Sequence, residues 1–347
     1  LADLADGTAG IIIGTHTLLS EQVTFADLGL VVVDEQHRFG VEQRDTLRTR
    51  AETPAHLLVM TATPIPRTVA MTVFGDLTVS TLTELPAGRG EVVTHVVPAH
   101  KKNWLDRVWQ VVTEQVAAGG RAYVVCPRID PNTGDDGAIL TDDGASRQLT
   151  SVIEMHEVLR AQLPYPVGLL HGQMTSDAKD AAMYDFSTGR TPVLVATTVV
   201  EVGVDVPEAT VMVVMNADRF GISQLHQLRG RIGRADRPGT CFLVADAPDG
   251  TPAAQRLAAL ASTRDGFALA ALDVQIRREG DVLGAAQSGG SSLRWLRLAK
   301  DEDVIRAARD DATALVEQDP TLASWPDLRD AVLLDLDPDS GDFLTRA

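Results

Sequence analysis

Short apolar runs rich in Val, Ile and Leu recur along the first 250 residues, with polar or amphipathic stretches between them. The runs are Gly10–Ile13, Leu30–Val33, Leu57–Met60, Arg121–Cys126, Val167–Leu170, Pro192–Ala196, Val211–Met215 and Cys241–Val244. Continuous apolar segments of this length fit parallel strands buried on both faces. Their alternation with helix-like stretches predicts an α/β architecture built on parallel sheets. From about residue 252 the pattern turns helical. Phe267, Ala270, Ala271 and Val274 recur at i, i+3, i+4 and i+7 and predict one apolar helix face. A further helix is expected over Glu302–Glu317.

Pro86 and Gly88 with Gly90 punctuate the chain and predict a linker, residues 87–91, between two α/β lobes. The first lobe, residues 1–86, then holds only three strands. That is few for a complete doubly wound domain, so its beginning is expected to be absent. The second lobe covers 92–250, a helical hairpin and loop 251–290, and a C-terminal extension 291–347. Residues 130–147, rich in Asp and Gly without periodicity, read as an exposed loop. A length of 347 residues fits two or three domains. The start at Leu1 points to a fragment or a processed chain.

Charge and cysteines narrow the classes. No run of 18 uncharged apolar residues exists, so no membrane span is expected. The net charge of −17 is unusual for a nucleic-acid binder, but residues 301–347 alone hold 13 acids against 4 arginines. Screening limits the reach of that acidic tail to about 8–10 Å, which leaves room for a local basic groove elsewhere. Cys126 and Cys241 lie in apolar runs and read as buried reduced thiols, which fits the cytoplasm.

Candidate chemistry begins at Asp34-Glu35-Gln36-His37, directly after the run Leu30–Val33. A rigid buried strand ending in two carboxylates can hold Mg²⁺ and aim a water at the γ-phosphate of ATP. Two solvated acids at an ordinary strand end are the bland alternative. Thr61-Ala62-Thr63-Pro64 follows the next run and is either a Pro-bearing turn or a pair of hydroxyls that relay nucleotide state. Gly203 and Asp205 follow another strand, one allowing close backbone approach and the other adding a carboxylate. His171, at a strand end, reads as structural. Gln227-Leu228-Arg229-Gly230-Arg231-Ile232-Gly233-Arg234 is the strongest piece. Arg231 and Arg234, three apart, would point the same way on one helical turn. Two guanidinium forks aimed across a cleft suit a triphosphate better than they suit a solvated helix face.

The order of these pieces decides between the readings. Asp-Glu, Thr-Ala-Thr, a linker, Gly-x-Asp and Gln-x-x-Gly-Arg-x-Gly-Arg appear once each, in sequence, and nearly the whole chain resembles superfamily-2 helicases and translocases. Gly14-Thr15-His16, Asp34–Val41, Thr61–Thr68, Ala196–Pro207 and His226–Arg234 are similar to the RecG family of bacterial ATP-dependent DNA helicases. Residues Asp265 to Gly289 resemble the translocation motif that this family shares with the transcription-repair coupling factor. There the present chain departs from Gly-Pro-Gly, reading Arg278-Glu279-Gly280.

The resemblance implies two RecA-like lobes, the first incomplete, and ATP with Mg²⁺ as cofactors. Asp34 would hold the metal through water and Glu35 would orient or deprotonate the attacking water. Gln36, His37, Thr61 and Thr63 would relay nucleotide state. Arg231 and Arg234, with Gln227 beside them, would meet the γ-phosphate. Gly203, Asp205, Arg277 and Gln287 would couple hydrolysis to movement, and Arg67 would contact DNA. Branched double-stranded DNA, and by resemblance a single-stranded DNA-binding protein, would be partners of a monomer associated with the bacterial nucleoid. The family's Gly-Lys phosphate loop and its wedge domain are expected to be absent, since no Gly-Lys dipeptide occurs in the chain. The 347 residues alone are therefore expected not to hydrolyse ATP. The coupling-factor motor, an RNA helicase and a non-catalytic DNA-binding fragment are the alternatives.

Overall fold

The computed structural model describes residues 2–20, 23–34, 55–61, 80–82, 90–130, 149–201, 205–234, 237–276 and 301–335. The chain divides into two compact units, residues 1–64 and 65–347. That division falls earlier than the linker expected at 87–91. Gly90 and Glu91 already bond to the second unit, to Gly233 and Gly239.

In the first unit, a short helix α1 (Ala2–Ala5) and a 3₁₀ turn (His16–Leu19) precede two parallel strands, β1 (Leu30–Val33) and β2 (His56–Val59). The register pairs Leu30 with His56 and Val33 with Val59. Leu4, Val23, Val33 and Ala55 are its buried apolar residues. The strand expected at Gly10–Ile13 does not form. Residues 11–15 have no regular structure, and Ile11 and Ile13 are 87% and 95% exposed. Among the described residues no strand pairs with this run, and apolar composition alone does not make a strand.

The second unit is organised by six parallel strands: β3 (Val92–Pro98), β4 (Arg121–Val125), β5 (Val167–Leu170), β6 (Val193–Ala196), β7 (Ala209–Met215) and β8 (Gly239–Ala245). They lie in the order β3-β8-β7-β4-β6-β5. Successive residues of β4 feed opposite cores: Tyr123 and Val125 enter one cluster, Ala122 and Val124 the other, joined there by Cys126 just past the strand. This period of two, with both faces covered, explains the uninterrupted apolar runs. On one face pack α2 (Lys102–Ala117) through Val108, Val112 and Val116, and α3 (Val152–Gln162) through Met155 and Leu159. On the other pack α4 (Ser176–Thr188), α5 (Ile222–Arg229), α6 (Pro252–Ser262) and α7 (Gly266–Ile276). The doubly wound α/β expectation holds for this unit.

Helix ends follow local chemistry. Ser151 and Glu154 form a capping box on α3, and Thr175 and Thr251 accept the N-terminal amides of Ala178 and Ala254. Two details departed from the periodicity. β3 is an edge strand whose apolar run is broken by Thr94-His95, so composition did not announce it. In α7 the buried positions are Leu269 and Ala270, with Leu272 and Ile276 half-buried, whereas Phe267 and Ala271 are exposed. That helix is apolar on nearly every side, so its sequence could not choose the inward face. The extension carries α8 (Glu302–Gln318), close to the expected helix, and α9 (Pro326–Asp335). Among the described residues no helix is long and apolar enough to cross a membrane.

Both cysteines are free and fully buried. Burial pushes the Cys241 thiol up to about 12 and raises that of Cys126 as well. Neither thiol should react with Ellman's reagent at pH 8 in the native protein, and both should react in guanidinium. Stoichiometric labelling of the native protein faster than it unfolds would contradict this packing.

Candidate functional site

In the first unit Asp34 directly follows β1 and is exposed. The Met60 amide donates to the Val33 carbonyl at 2.8 Å and extends the pairing one residue beyond β2. Asp34 and Thr61 thereby leave the carboxyl ends of neighbouring strands, whose spacing is about 4.8 Å. This is the edge where open α/β sheets place ligands. Glu35, Gln36, His37, Thr63 and Arg67 lie outside the described residues, as do Gly203, Arg277 and Gln287.

The second unit holds the candidate arginines. After β7, Asn216 takes a left-handed conformation (φ 50°) and its side-chain oxygen accepts the Thr150 amide at 2.9 Å. Helix α5 then crosses back, burying Ile222, Leu225 and Leu228, and brings Gln227 to a half-buried position near its end. The helix stops at Arg229, so Arg231 and Arg234 do not share a helical turn as their spacing implied. Arg231 begins a turn, with its amide bonded to Leu228 O at 3.0 Å. Ile232, 2% exposed, plugs into the core between the two arginines. Gly233 then reverses the chain at φ 71°.

Gly233 has a structural explanation that its sequence motif did not supply. A side chain there would need a strained left-handed backbone and would collide with Val92 Cγ2. Its amide donates to Ala209 O at 3.2 Å and its carbonyl accepts the Gly90 amide at 3.0 Å. Ala209, Val92 and Gly239 begin β7, β3 and β8. The arginine loop is therefore pinned to the amino-terminal end of its sheet, opposite the edge that the general rule favours.

Beyond Gly233, Arg234 Nη1 lies 2.6 Å from Asp205 Oδ1. The Arg234 side chain is 25% exposed and that of Asp205 58%. Arg231, Arg234 and Asp205 share one electrostatic neighbourhood, because all three act on the Tyr123 phenol. Burial pushes that phenol up to about 12, the two arginines oppose the rise and Asp205 adds to it. His171, at the end of β5, has a buried Nδ1 without a hydrogen-bond partner, and burial, with Lys179 adding to it, lowers its pKa.

Arg229 is the residue that motif reasoning passed over. It is 4% exposed. Its Nη1 donates to Leu260 O at 2.6 Å and Thr263 O at 2.9 Å, and its Nη2 donates to His226 Nδ1 at 2.9 Å. Desolvation lowers its pKa, yet a guanidinium keeps its proton at neutral pH. The signal was present in the sequence: Ile222, Leu225 and Arg229 fall at i, i+3 and i+7, so the arginine lies on the buried stripe. It fastens the helix carrying the site to the end of α6.

Three family models match the chain: "DEAD/DEAH box helicase" over residues 1–72, "Helicase conserved C-terminal domain" over 105–236, and "ATP-dependent DNA helicase RecG, domain 3, C-terminal" over 263–332. The ATP-dependent DNA helicase RecG of Mycobacterium tuberculosis is 57% identical over 319 positions, covering 89% of this chain and 42% of the relative. That of Mycobacterium leprae is 53% identical, covering 100% and 47%, and that of Bacillus subtilis 42% identical, covering 96% and 46%. The chain thus spans less than half the length of these curated relatives. A solved structure of RecG bound to a three-way DNA junction superposes with a TM-score of 0.61 and 38% identity, covering 88% of this chain and 37% of that one. Mss116p bound to single-stranded RNA and AMP-PNP, at 12% identity and a TM-score of 0.50 over 87% of this chain and 58% of that one, shares the fold.

Fold and motif order together place the chain among the RecA-like α/β domains of superfamily-2 helicases. Within that class the chain is homologous to RecG over most of its length.

Two substitutions test this local architecture by urea unfolding. Arg229→Ala leaves two carbonyls and a ring nitrogen without their donor and should cost about 2–4 kcal/mol. Gly233→Ala should cost about 2 kcal/mol or more, from the left-handed backbone and the contact with Val92. Wild-type midpoints for either would mean the loop is held by something else.

Proposed function

We propose that this chain is the C-terminal motor portion of an ATP-dependent double-stranded DNA translocase that remodels branched DNA. Reversal of replication forks and migration of Holliday junctions are the reactions envisaged. The observation that carries the reading is the pinned loop presenting Arg231 and Arg234, in a chain whose other unit presents Asp34 at a strand end. The three-way junction bound by the solved RecG relative supports branched DNA as the substrate.

In this reading Arg231 and Arg234 stabilise charge on the transferring phosphoryl group, with Gln227 beside them. Asp34 would hold Mg²⁺ through water, a carboxylate oxygen being a suitable ligand for a hard cation. Glu35 orients the attacking water. Gln36, His37, Thr61 and Thr63 report nucleotide state, and Gly203, Asp205, Arg277 and Gln287 pass it to the hairpin, residues 251–290. Arg67 contacts DNA phosphate. A monomer in the bacterial cytoplasm, working beside single-stranded DNA-binding protein, completes the proposal.

The 347 residues contain no Gly-Lys dipeptide, so by themselves they should release phosphate from ATP at background rate, with or without forked DNA. Turnover comparable to a full-length RecG would refute this. In a RecG-type protein that carries the phosphate loop, replacing the arginine equivalent to Arg231 or Arg234 by Ala should lower the ATPase rate by roughly 10³ or more. A second reading, a DNA-binding fragment without catalysis, is favoured by the same missing dipeptide. Salt-sensitive fork binding without turnover would support it.

A further inference from the structure

Arg234 and Asp205 face each other from two anchored backbones. Arg234 follows Gly233, whose amide and carbonyl are tied to Ala209 and Gly90 at 3.2 and 3.0 Å. Asp205 precedes Val206, which is 2% exposed and whose carbonyl accepts the Ala209 amide at 3.0 Å. The 2.6 Å ion pair therefore forms or breaks by side-chain rotation alone. The carboxylate is the wetter partner, at 58% against 25% exposure, and can turn into solvent without losing packing.

We propose that Asp205 is an internal competitor for the phosphate-binding cation Arg234: its carboxylate occupies the guanidinium in the nucleotide-free state, and an incoming polyphosphate displaces it. The proposal rests on the reading of Arg231 and Arg234 as phosphate contacts. Arg234 Nε donates to Gly230 O at 3.4 Å, which leaves the Nη pair as its free edge; Asp205 occupies Nη1 on that edge, so carboxylate and phosphate oxygens compete for it. An ion pair this exposed is weak, which makes the exchange reversible. Competition by such a pair lowers polyphosphate affinity by about twofold to fivefold. Asp205 also protects the site from unspecific anions, because a singly charged competitor must displace it with no surplus of charge. A carboxylate that merely positioned Arg234 would have the opposite effect on affinity when removed.

The test uses the chain labelled with ¹⁵N-arginine, titrated with sodium tripolyphosphate at constant ionic strength. The Nε–Hε signals of Arg231 and Arg234 are followed, each assigned by an Arg→Lys variant. Wild type should titrate, and Asp205→Asn should half-saturate at a concentration about twofold to fivefold lower, with both arginine signals responding. Asp205→Ser, read in the same way, serves if the amide variant loses the wild-type amide spectrum. Equal or weaker binding by the variant, with Arg234 still responding, overturns the competition and leaves the phosphate reading intact. Silence of both arginines in both proteins overturns the two together.

Discussion

The amide of Gly233 bonded to the carbonyl of Ala209 is the contact on which the second unit's candidate site depends. It closes the crossover that leaves β7, runs through α5 and returns to the sheet. Without it the two arginines would hang from an unanchored helix end. With it, Ile232 is seated in the core and Arg231 and Arg234 flank it from a backbone that the sheet itself holds. Only glycine satisfies the turn, because the left-handed backbone and the nearness of Val92 both exclude a side chain.

Arg229 adds a second constraint, in the other direction. The same short helix that ends at the arginine loop is fastened by a buried guanidinium to the carbonyls closing α6. A charge is tolerated at 4% exposure because its donors meet oxygen or nitrogen acceptors. The helix thus has a polar joint to α6 and a pinned loop beyond it. Leu225 and Leu228 pack in the same buried cluster as Leu257 and Leu260 of α6, so apolar contact and the Arg229 hydrogen bonds hold the two helices together.

Much of the second unit was legible because its strands are buried on both faces. Val, Ile and Leu then run without alternation, and β4 to β8 stand out, with β5 bounded as expected. The edge strand β3 was not legible, because one side of it meets solvent and Thr94-His95 breaks the run. In the first unit the same rule erred at residues 10–13, where no strand pairs with the run among the described residues. At the site, residue types and their order were legible and conformation was not. Spacing alone could not say that α5 ends at Arg229, and a helical projection of Arg231 and Arg234 was the natural but mistaken consequence.

Sequence by itself determined the family, the two α/β lobes, the acid at the end of β1 and the paired arginines, since these follow from local composition and motif order. Tertiary structure decided which end of the sheet carries the arginines, that Asp205 faces Arg234, and that Arg229 serves the helix packing rather than a ligand. The physical reason is that each of these depends on a partner distant in the chain. Ala209, Leu260 and Asp205 lie 24 to 31 residues from the groups they hold, and no periodicity in the sequence encodes which of them will meet.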